Sequence, residues 1–291
     1  MRVGIIGVGL MGHGIALNVL KGGFPLIMLD HSGNQPIDDL IEMGAKTIDS
    51  PSGVANETDL IILCLTGSPQ VEAVLTGKLG VISSLKPGAI VVDCSTALPA
   101  STERMAELVI AAGGRFLDAP MTRLAKQAHE GTLNILVGGE VDVLEAASPV
   151  LQTFTENIDH VGAVGVGHRM KLLHNYVSIG HLTVLAEAAA NAAQMGVKPQ
   201  IFLDVLTKGS GQGITLERLR NCILKGDTSD VPFTIRNAIK DMNYYRDMVG
   251  DDKGSKIVAD SISDAMTSTL GSGDEDAYLP ELIRLFQGPT K

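Results

Sequence analysis

The sequence has little positive charge, few cysteines and no long apolar runs. Its 23 Lys and Arg residues are outnumbered by 33 Asp and Glu residues, which gives a formal net charge of -10, and the basic residues form no cluster. Nucleic acids and anionic membrane surfaces both attract concentrated positive charge, so we expect neither as a partner. Charged or turn residues interrupt each apolar stretch before it could span a bilayer. These absences favour a protein whose partner is a small molecule.

The cysteines and histidines form no recognisable metal or disulfide pattern. Cys64, Cys94 and Cys222 include no C-x-x-C pair, and the first two lie in apolar runs typical of strands. This predicts free thiols in a reducing compartment, which we take to be the cytoplasm. The seven histidines include no H-E-x-x-H motif, so no metal site is predicted.

What is present begins with a glycine-rich turn close to the N-terminus. A short apolar run at 3–6 leads into Gly7-Val-Gly9-Leu-Met-Gly12, a helical pattern follows, and a second apolar run at 26–29 ends in Asp30. Strand, G-x-G-x-x-G, helix, strand and acidic residue together form the dinucleotide-binding fingerprint. Gly7 allows a tight turn, Gly9 lets the backbone approach the pyrophosphate, and Gly12 lets the helix lie close to the strand. Asp30 can accept hydrogen bonds from the adenosine ribose and would repel the 2′-phosphate of NADP, so NAD is favoured over NADP.

Alternating strands and helices continue through the first half of the chain. The patterns predict strands at 59–65, 89–93, 115–118, 134–137 and 158–161, and helices at 69–75, 99–112 and 141–151. We therefore predict an α/β Rossmann domain over residues 1–163 with a doubly wound sheet. Thr66, Ser95 and Thr96 follow two of these strands, at the sheet edge where such folds bind ligands. Helix capping is an equally good explanation for each of these three hydroxyls.

The second half shows only helical periodicity, which predicts an all-α domain over 164–291 joined to the first by a long interdomain helix. Helical patterns cover 169–195, 201–207, 216–224, 235–249, 257–267 and 278–286. The glycine-rich stretch before the first of them is typical of a loose hinge. On that helix Lys171, His174 and Asn175 fall at i, i+3 and i+4. Their side chains therefore project from one face, as an active-site edge requires.

Gly7-Val-Gly9-Leu-Met11-Gly12-x-x-x-Ala16-x-Asn18 resembles the β-hydroxyacid dehydrogenase family, which includes 3-hydroxyisobutyrate dehydrogenases and tartronate semialdehyde reductases. Three further segments are similar to that family in the same order: Asp118-Ala-Pro120 with Glu130-Gly-Thr-Leu133, Gly165-x-Gly167-x-x-x-Lys171-x-x-x-Asn175, and Lys240-Asp241. The resemblance implies an NAD-dependent enzyme that interconverts a short 3-hydroxy acid and its semialdehyde. It also implies a homodimer or homotetramer built on the helical domains.

The resemblance also implies roles for individual residues. Lys171 would be the general acid and base, and Asn175 would orient the substrate. The expected cofactor-binding residues are Gly7, Gly9, Leu10, Met11, Gly12, Asp30, Leu65, Thr66, Thr96 and Lys240. The expected substrate-binding residues are Ser95, Thr122, Arg123, His174, Asn175 and Ser178; for His174, a hydrogen-bonded place in the core is the alternative.

The sequence departs from the family at the substrate loop. Where the family commonly has Ser-Gly-Gly, this chain has Thr122-Arg123-Leu124. A guanidinium binds carboxylate, sulfonate or phosphate groups in a bidentate manner, and the 3-sulfolactaldehyde reductase branch resembles this chain at Arg123 and after Lys171. Arg123 thus predicts either a second or stronger anionic group on the substrate, or a structural ion pair with a neighbouring carboxylate.

Three other functions stay open. His174-Asn175 is also similar to the lysine-proximal motif of 6-phosphogluconate dehydrogenases, which catalyse oxidative decarboxylation but have much longer chains. Imine reductases share the fold, although they usually lack the lysine. A protein that binds NAD without turnover is the third alternative, but it has no need of a proton donor beside the nicotinamide.

Overall fold

The structure is a computed structural model that describes residues 1–250, 254–271 and 273–288. The chain divides into two compact units, Met1–Lys171 and Leu172–Lys291. The boundary expected between residues 163 and 164 lies ahead of this division and stays a prediction.

The first unit is built on one mixed sheet, which has nine strands in the described residues. In chain order the strands are β1 (Val3–Ile6), β2 (Leu26–Leu29), β3 (Lys46–Ile48), β4 (Leu60–Leu63), β5 (Ile90–Asp93), β6 (Arg115–Asp118), β7 (Met121–Thr122), β8 (Leu133–Gly138) and β9 (Thr155–Gly162). The spatial order is β3-β2-β1-β4-β5-β6-β8-β7, and β9 pairs with β8. The first six strands are parallel to one another and have the order of a Rossmann fold. β8 is antiparallel to β6 and β7.

Seven helices connect these strands: α1 (Leu10–Lys21), α2 (Asp38–Glu42), α3 (Pro51–Glu57), α4 (Ser68–Thr76), α5 (Pro99–Ala111), α6 (Ala125–Glu130) and α7 (Val141–Leu151), with a 3-10 turn at Val81–Ser84. The central strands β1, β4 and β5 are buried along their whole length. Successive side chains of β1 enter different cores, Ile5 in one cluster and Ile6 in the other. The continuous apolar runs of these strands follow from this burial on both faces of the sheet.

The helical pattern predicted for the second half is confirmed. α8 (Val166–Gln194) begins in the first unit, and α9 (Pro199–Thr207), α10 (Ile214–Lys225), α11 (Ile235–Val249), α12 (Ile257–Ser268) and α13 (Leu282–Gln287) follow, with 3-10 turns at Asp274–Asp276 and Leu279–Glu281. The helix expected at 278–286 is wrong as a single element, because the segment divides into a 3-10 turn, which has Pro280 near its start, and α13; proline is favoured at such a start and disfavoured further inside a helix. Leu172, Leu203, Leu216, Met242 and Leu282 are among the buried residues at the core of the second unit. Within the described ranges, none of the helices has the length and apolarity that a membrane span requires.

The start of α8 is not the loose backbone that its glycines suggested. The N–H of Gly165 donates to Asp118 Oδ1, and the N–H of His168 donates to Asp118 Oδ2, both at 2.8 Å. A Cβ atom on Gly167 would lie 2.4 Å from the carbonyl oxygen of Leu136. The first turn of α8 is therefore fixed on the end of β6, and the helix begins earlier than its apolar pattern indicated.

Candidate active site

The glycine turn between β1 and α1 has the geometry that a pyrophosphate needs. Gly7 has a φ of 98°, and a Cβ there would lie 2.3 Å from the Cys64 carbonyl oxygen; a Cβ on Gly12 would lie 1.9 Å from the Gly7 carbonyl oxygen. A Cβ on Gly9, by contrast, would meet no atom within 4 Å. Gly9 is also the N-cap of α1 and provides no side-chain cap. The open space beside Gly9 and the positive end of α1 fit a dinucleotide pyrophosphate.

The loop that follows β2 folds back onto this turn. Asp30 is exposed at the strand end, and its N–H donates to the Ile48 carbonyl of β3 at 2.8 Å. Asn34 accepts from the Val8 N–H at 3.2 Å and donates to the Leu29 carbonyl at 2.9 Å. Sequence analysis missed Asn34, which ties the loop carrying Asp30 to the glycine motif.

The ends of β4 and β5 are joined through Ser95. Its hydroxyl accepts from the Leu65 N–H at 3.0 Å, and its own N–H donates to Asp93 Oδ1 at 2.9 Å. Ser95 is only 3% exposed, so its side chain serves these internal bonds, and its contact with substrate stays a prediction. Thr66 is exposed and Thr96 is half-buried, beside the carboxyl ends of the strands where a nicotinamide cofactor binds in this fold.

Two buried side chains that sequence analysis left without a role lie behind this edge. Asp118 accepts the two N–H groups at the start of α8, and the His168 imidazole is completely buried. Burial raises the pKa of Asp118, against the opposing effects of His168 and the two N–H donors; the nearby Asp93 carboxylate raises it further. In the sequence analysis, Asp118 belonged to a family-like motif, whereas nothing singled out His168.

The substrate loop has an unusual backbone at Arg123, whose φ of 76° lies in the left-handed region. Its guanidinium forms an ion pair with Glu156 of β9 and donates to the Thr132 carbonyl. The neighbouring Thr122 is buried in β7. The Leu124 N–H donates to Gln127 Oε1 at 3.3 Å. Sequence analysis left two explanations for Arg123, an anionic group on the substrate and a structural ion pair. The structure contains the ion pair.

α1 and α6 pack directly against each other, which joins the cofactor helix to the end of the substrate loop. A Cβ on Gly14 would lie 2.5 Å from the Ala128 carbonyl carbon. The buried Asn18 amide donates to the carbonyls of Gly14, Ala128 and His129 at 2.9, 2.8 and 3.1 Å. The Asn18 of the family-like motif is thus a structural residue.

α8 carries the predicted catalytic pair, with Lys171 half-buried and Asn175 only 7% exposed. The Asn175 amide nitrogen donates to Asp241 Oδ2 at 2.6 Å, and its oxygen lies 3.0 Å from His174 Nδ1. Asp241 Oδ1 lies 2.8 Å from Lys240 Nζ, and that ammonium also lies 5.0 Å from the centre of the Tyr244 ring.

One buried carboxylate, that of Asp241, therefore holds two predicted site residues of the second unit, Asn175 and Lys240. His174 is exposed and Ser178 is half-buried. His174 contacts Asn175 directly, whereas, within the described part of the chain, no hydrogen bond fixes the direction of the Ser178 side chain. Among those residues, no cluster of His, Cys, Asp or Glu could hold a metal ion.

The parallel strand order and the glycine turn define a dinucleotide-binding protein of the Rossmann class. Residues 2–162 match the family described as the NAD binding domain of 6-phosphogluconate dehydrogenase, and residues 165–286 match the NAD-binding domain of NADP-dependent 3-hydroxyisobutyrate dehydrogenase. The chain belongs to the β-hydroxyacid dehydrogenase family of oxidoreductases.

Individual relatives agree with this assignment. The chain is 33% identical over 228 residues to 2-(hydroxymethyl)glutarate dehydrogenase of Eubacterium barkeri, covering 78% of this chain and 75% of that protein. It is 31% identical to 3-sulfolactaldehyde reductase of Escherichia coli, covering 84% and 82% of the two chains. The structure of 3-hydroxyisobutyrate dehydrogenase from Salmonella typhimurium superposes with a TM-score of 0.86 at 25% identity, covering 98% of this chain and 99% of that one.

Proposed function

We propose that this protein is an NAD-dependent dehydrogenase that interconverts a short 3-hydroxy acid and its semialdehyde. The observation that carries the proposal is the pair Lys171 and Asn175 on α8, in which the Asn175 amide is held by Asp241 and His174. A proton-transferring lysine one turn from an oriented amide suits an alcohol next to a carboxylate.

In alcohol oxidation, Lys171 in its neutral form takes the proton from the substrate hydroxyl, and it returns that proton in the reverse direction. When bound, the nicotinamide supplies a two-electron acceptor for the hydride of the same carbon. Asn175 has its oxygen directed to His174 and one N–H directed to Asp241, so its second N–H is the one that meets the substrate. Thr96, Leu65 and Lys240 contact the cofactor in this proposal.

NAD is proposed over NADP because of Asp30. An exposed carboxylate at the end of β2 can accept both ribose hydroxyls, and it would repel a 2′-phosphate. The next residue, His31, accepts the Gly33 N–H within the loop at 3.0 Å, where a cationic arginine would suit NADP better.

Two classes of substrate are proposed, and they differ in the anionic groups that the substrate carries. The relatives named for 2-(hydroxymethyl)glutarate and 3-sulfolactaldehyde support a substrate with a second or stronger anionic group. The pairing of Arg123 with Glu156 supports a substrate with a single carboxylate, because the guanidinium already has an anionic partner. A second or stronger anionic group on the substrate would have to displace Glu156 in order to bind Arg123.

The test is initial-rate oxidation of 3-hydroxyisobutyrate, L-serine, glycerate, 3-hydroxypropionate, 2,3-dihydroxypropane-1-sulfonate and 2-(hydroxymethyl)glutarate, with NAD and then NADP. We expect Lys171→Ala to lower kcat by on the order of 100-fold or more, while Lys78→Ala, at an exposed lysine in the turn after α4, keeps the native rate. Arg123→Gly should impair only dianionic or sulfonated substrates if the guanidinium binds them. Turnover that survives Lys171→Ala would refute the catalytic assignment; NAD binding without turnover of any acid would favour imine reduction, decarboxylation or a non-catalytic role.

We also propose a cytoplasmic homodimer or homotetramer that associates through α8. The three cysteines are free thiols, as a reducing compartment requires. α8 exposes several large apolar side chains, including Leu173 (43%), Val177 (66%) and Val184 (59%). Light scattering should give a mass above the 30.6 kDa of one chain, and Val184→Glu should reduce it.

A further inference from the structure

The completely buried His168 touches three different elements of the first unit. Its Nε2 lies 3.0 Å from the Ser95 carbonyl oxygen, and its Nδ1 lies 2.9 Å from Thr102 Oγ1 of α5. Its backbone N–H is bound by Asp118 at the end of β6, and Nδ1 lies 3.6 Å from the same carboxylate. The imidazole itself belongs to the first turn of α8.

The direction of the bond to Ser95 is fixed by chemistry. A carbonyl oxygen only accepts, so Nε2 must carry a hydrogen and donate it. In the neutral ring, Nδ1 then accepts the Thr102 hydroxyl hydrogen. In the charged ring, Nδ1 donates to that hydroxyl, which can turn to the Leu98 carbonyl 3.1 Å away. Both protonation states keep the hydrogen bond from His168 to Ser95.

With that bond, every polar group of Ser95 has a partner. Its hydroxyl holds Leu65, its N–H is bound by Asp93, and its carbonyl is bound by His168. Leu65 and Thr96, the residue after Ser95, are the proposed contacts of the nicotinamide. His168 therefore completes the set of hydrogen bonds that hold together the two loops carrying them, the β4–α4 loop and the β5–α5 loop.

The same side chain fixes the turn of α8 from which the proposed proton donor projects. Lys171 follows His168 by three positions on α8, so one helical turn joins them. Asp118 holds the backbone of this turn, and His168 holds its side toward the β5–α5 loop.

We propose that His168 is a positioning residue of the reaction: through its hydrogen bond to the Ser95 carbonyl, it fixes the turn carrying Lys171 to the β5–α5 loop, which carries Thr96 and, through the Ser95 hydroxyl, holds Leu65 of the β4–α4 loop. It touches neither substrate nor cofactor. Its removal should misplace the proton donor relative to the nicotinamide-side loop, and a misplacement of about 1 Å can cost on the order of 100-fold in rate. The kinetic part of this inference rests on the proposed function, but the structural part does not.

The experiment compares His168→Leu, which removes both hydrogen bonds at similar volume, with His168→Gln, whose amide can donate to Ser95 and accept from Thr102. The controls are His160→Leu and His160→Gln, because the exposed His160 on β9 also binds a backbone carbonyl, that of Gly139 at 2.8 Å, and is not bonded to Ser95 or Thr102. With NAD and the fastest-reacting acid of the panel, His168→Leu should lower kcat by about 10- to 100-fold and change the KM of the acid by less than about threefold. His168→Gln should recover most of kcat, and the His160 variants should match the native enzyme.

Native-state amide hydrogen exchange tests the same link without turnover. His168→Leu should speed exchange at the Leu65 and Ser95 amides by about tenfold or more, relative to His160→Leu. If no panel acid reacts while these amides are deprotected, the proposed function fails and the structural link stands. Unchanged exchange, or a kcat per folded molecule within twofold of native despite a lower Tm, would overturn the inference.

Discussion

Arg123 occupies a backbone conformation that glycine adopts at little cost but that strains an L-residue by about 1 kcal/mol. Its side chain offsets this strain with the ion pair to Glu156 and the hydrogen bond to the Thr132 carbonyl. A partly exposed ion pair of this kind contributes only about 0.5 kcal/mol. The two effects are thus of similar size and opposite sign.

Two substitutions at this position separate strain from pairing. Arg123→Gly loses the pair but relieves the strained backbone, so its free energy of unfolding should stay within about 1 kcal/mol of native. Arg123→Ala loses the pair and keeps the strain, so it should be less stable than Arg123→Gly by about 0.5–1 kcal/mol. Urea unfolding of the two variants measures the difference, with Glu156→Gln as the variant that removes the pair alone. An Ala variant as stable as the Gly variant would mean that the loop relaxes out of the left-handed region.

At the scale of residues, the sequence could identify Arg123 as unusual but could not identify its ion-pair partner. Arg123 stands out because the resembling family has glycine there. Glu156 is 33 positions away on another strand, and no local pattern links the two. His168 was missed for the same reason: its partners Ser95 and Thr102 are distant in sequence, and a lone histidine in a helix carries no motif.

At the scale of elements, the contact of α1 with α6 depends on Gly14, and the open turn before α1 depends on Gly9. A side chain at Gly14 would collide with the backbone of Ala128 and His129, whereas one at Gly9 would enter space that contains no protein atom. One glycine therefore serves helix packing and the other serves ligand access.

The two alanine substitutions should consequently fail in different ways. Gly14→Ala should lower the free energy of unfolding by about 3 kcal/mol, because the clash is with backbone that cannot move aside locally. Gly9→Ala should fold with a native Tm but bind NAD at least about tenfold more weakly in calorimetry, since its methyl group occupies the pyrophosphate space. A Gly9→Ala variant that binds NAD normally would contradict the placement of the pyrophosphate.

Elements with a clear period or a continuous apolar run were predicted well, including the four-residue strands β1 and β2, whereas several short elements with neither were missed. α7 and α11 have the predicted bounds, since each has a clear apolar face and a definite end. The sequence analysis missed β3, α2, α3, α6 and β7, which have between two and seven residues. Such segments offer too few residues to show a period, and tertiary contacts decide their structure. The start of α8 was misplaced because Asp118, far away in sequence, provides its cap.

At the scale of the whole molecule, the three cysteine thiols are distributed over both units, and their reactivity indicates how well each unit protects its interior. Burial raises the pKa of Cys64 to about 12 and that of Cys222 to about 11, and it raises the pKa of Cys94 well above its usual range, with nearby acidic groups adding to the effect. Cys64 and Cys94 belong to the first unit and Cys222 to the second. The thiolate is the reactive form, so all three should be slow nucleophiles in the folded protein.

Iodoacetamide labelling with mass spectrometry checks this expectation. At pH 8, each folded thiol should react on the order of 100-fold more slowly than in urea, where its pKa returns to about 8.5. The pKa values of the folded thiols lie above pH 10. The labelling rate of the folded protein should therefore rise with pH between 8 and 10. A cysteine that reacts at the unfolded rate under native conditions would mean that its unit opens locally.

The edges of the sheet bear on how the protein behaves at high concentration. β3 has only three residues, two of them the exposed Lys46 and Thr47, and β9, which within the described residues pairs only with β8, exposes Glu156 and Asp159. Short or charged strands are poor templates for an incoming chain. Growth of the sheet from one molecule into the next is therefore disfavoured, and the protein should resist amyloid-like aggregation although its interior strands are continuously apolar.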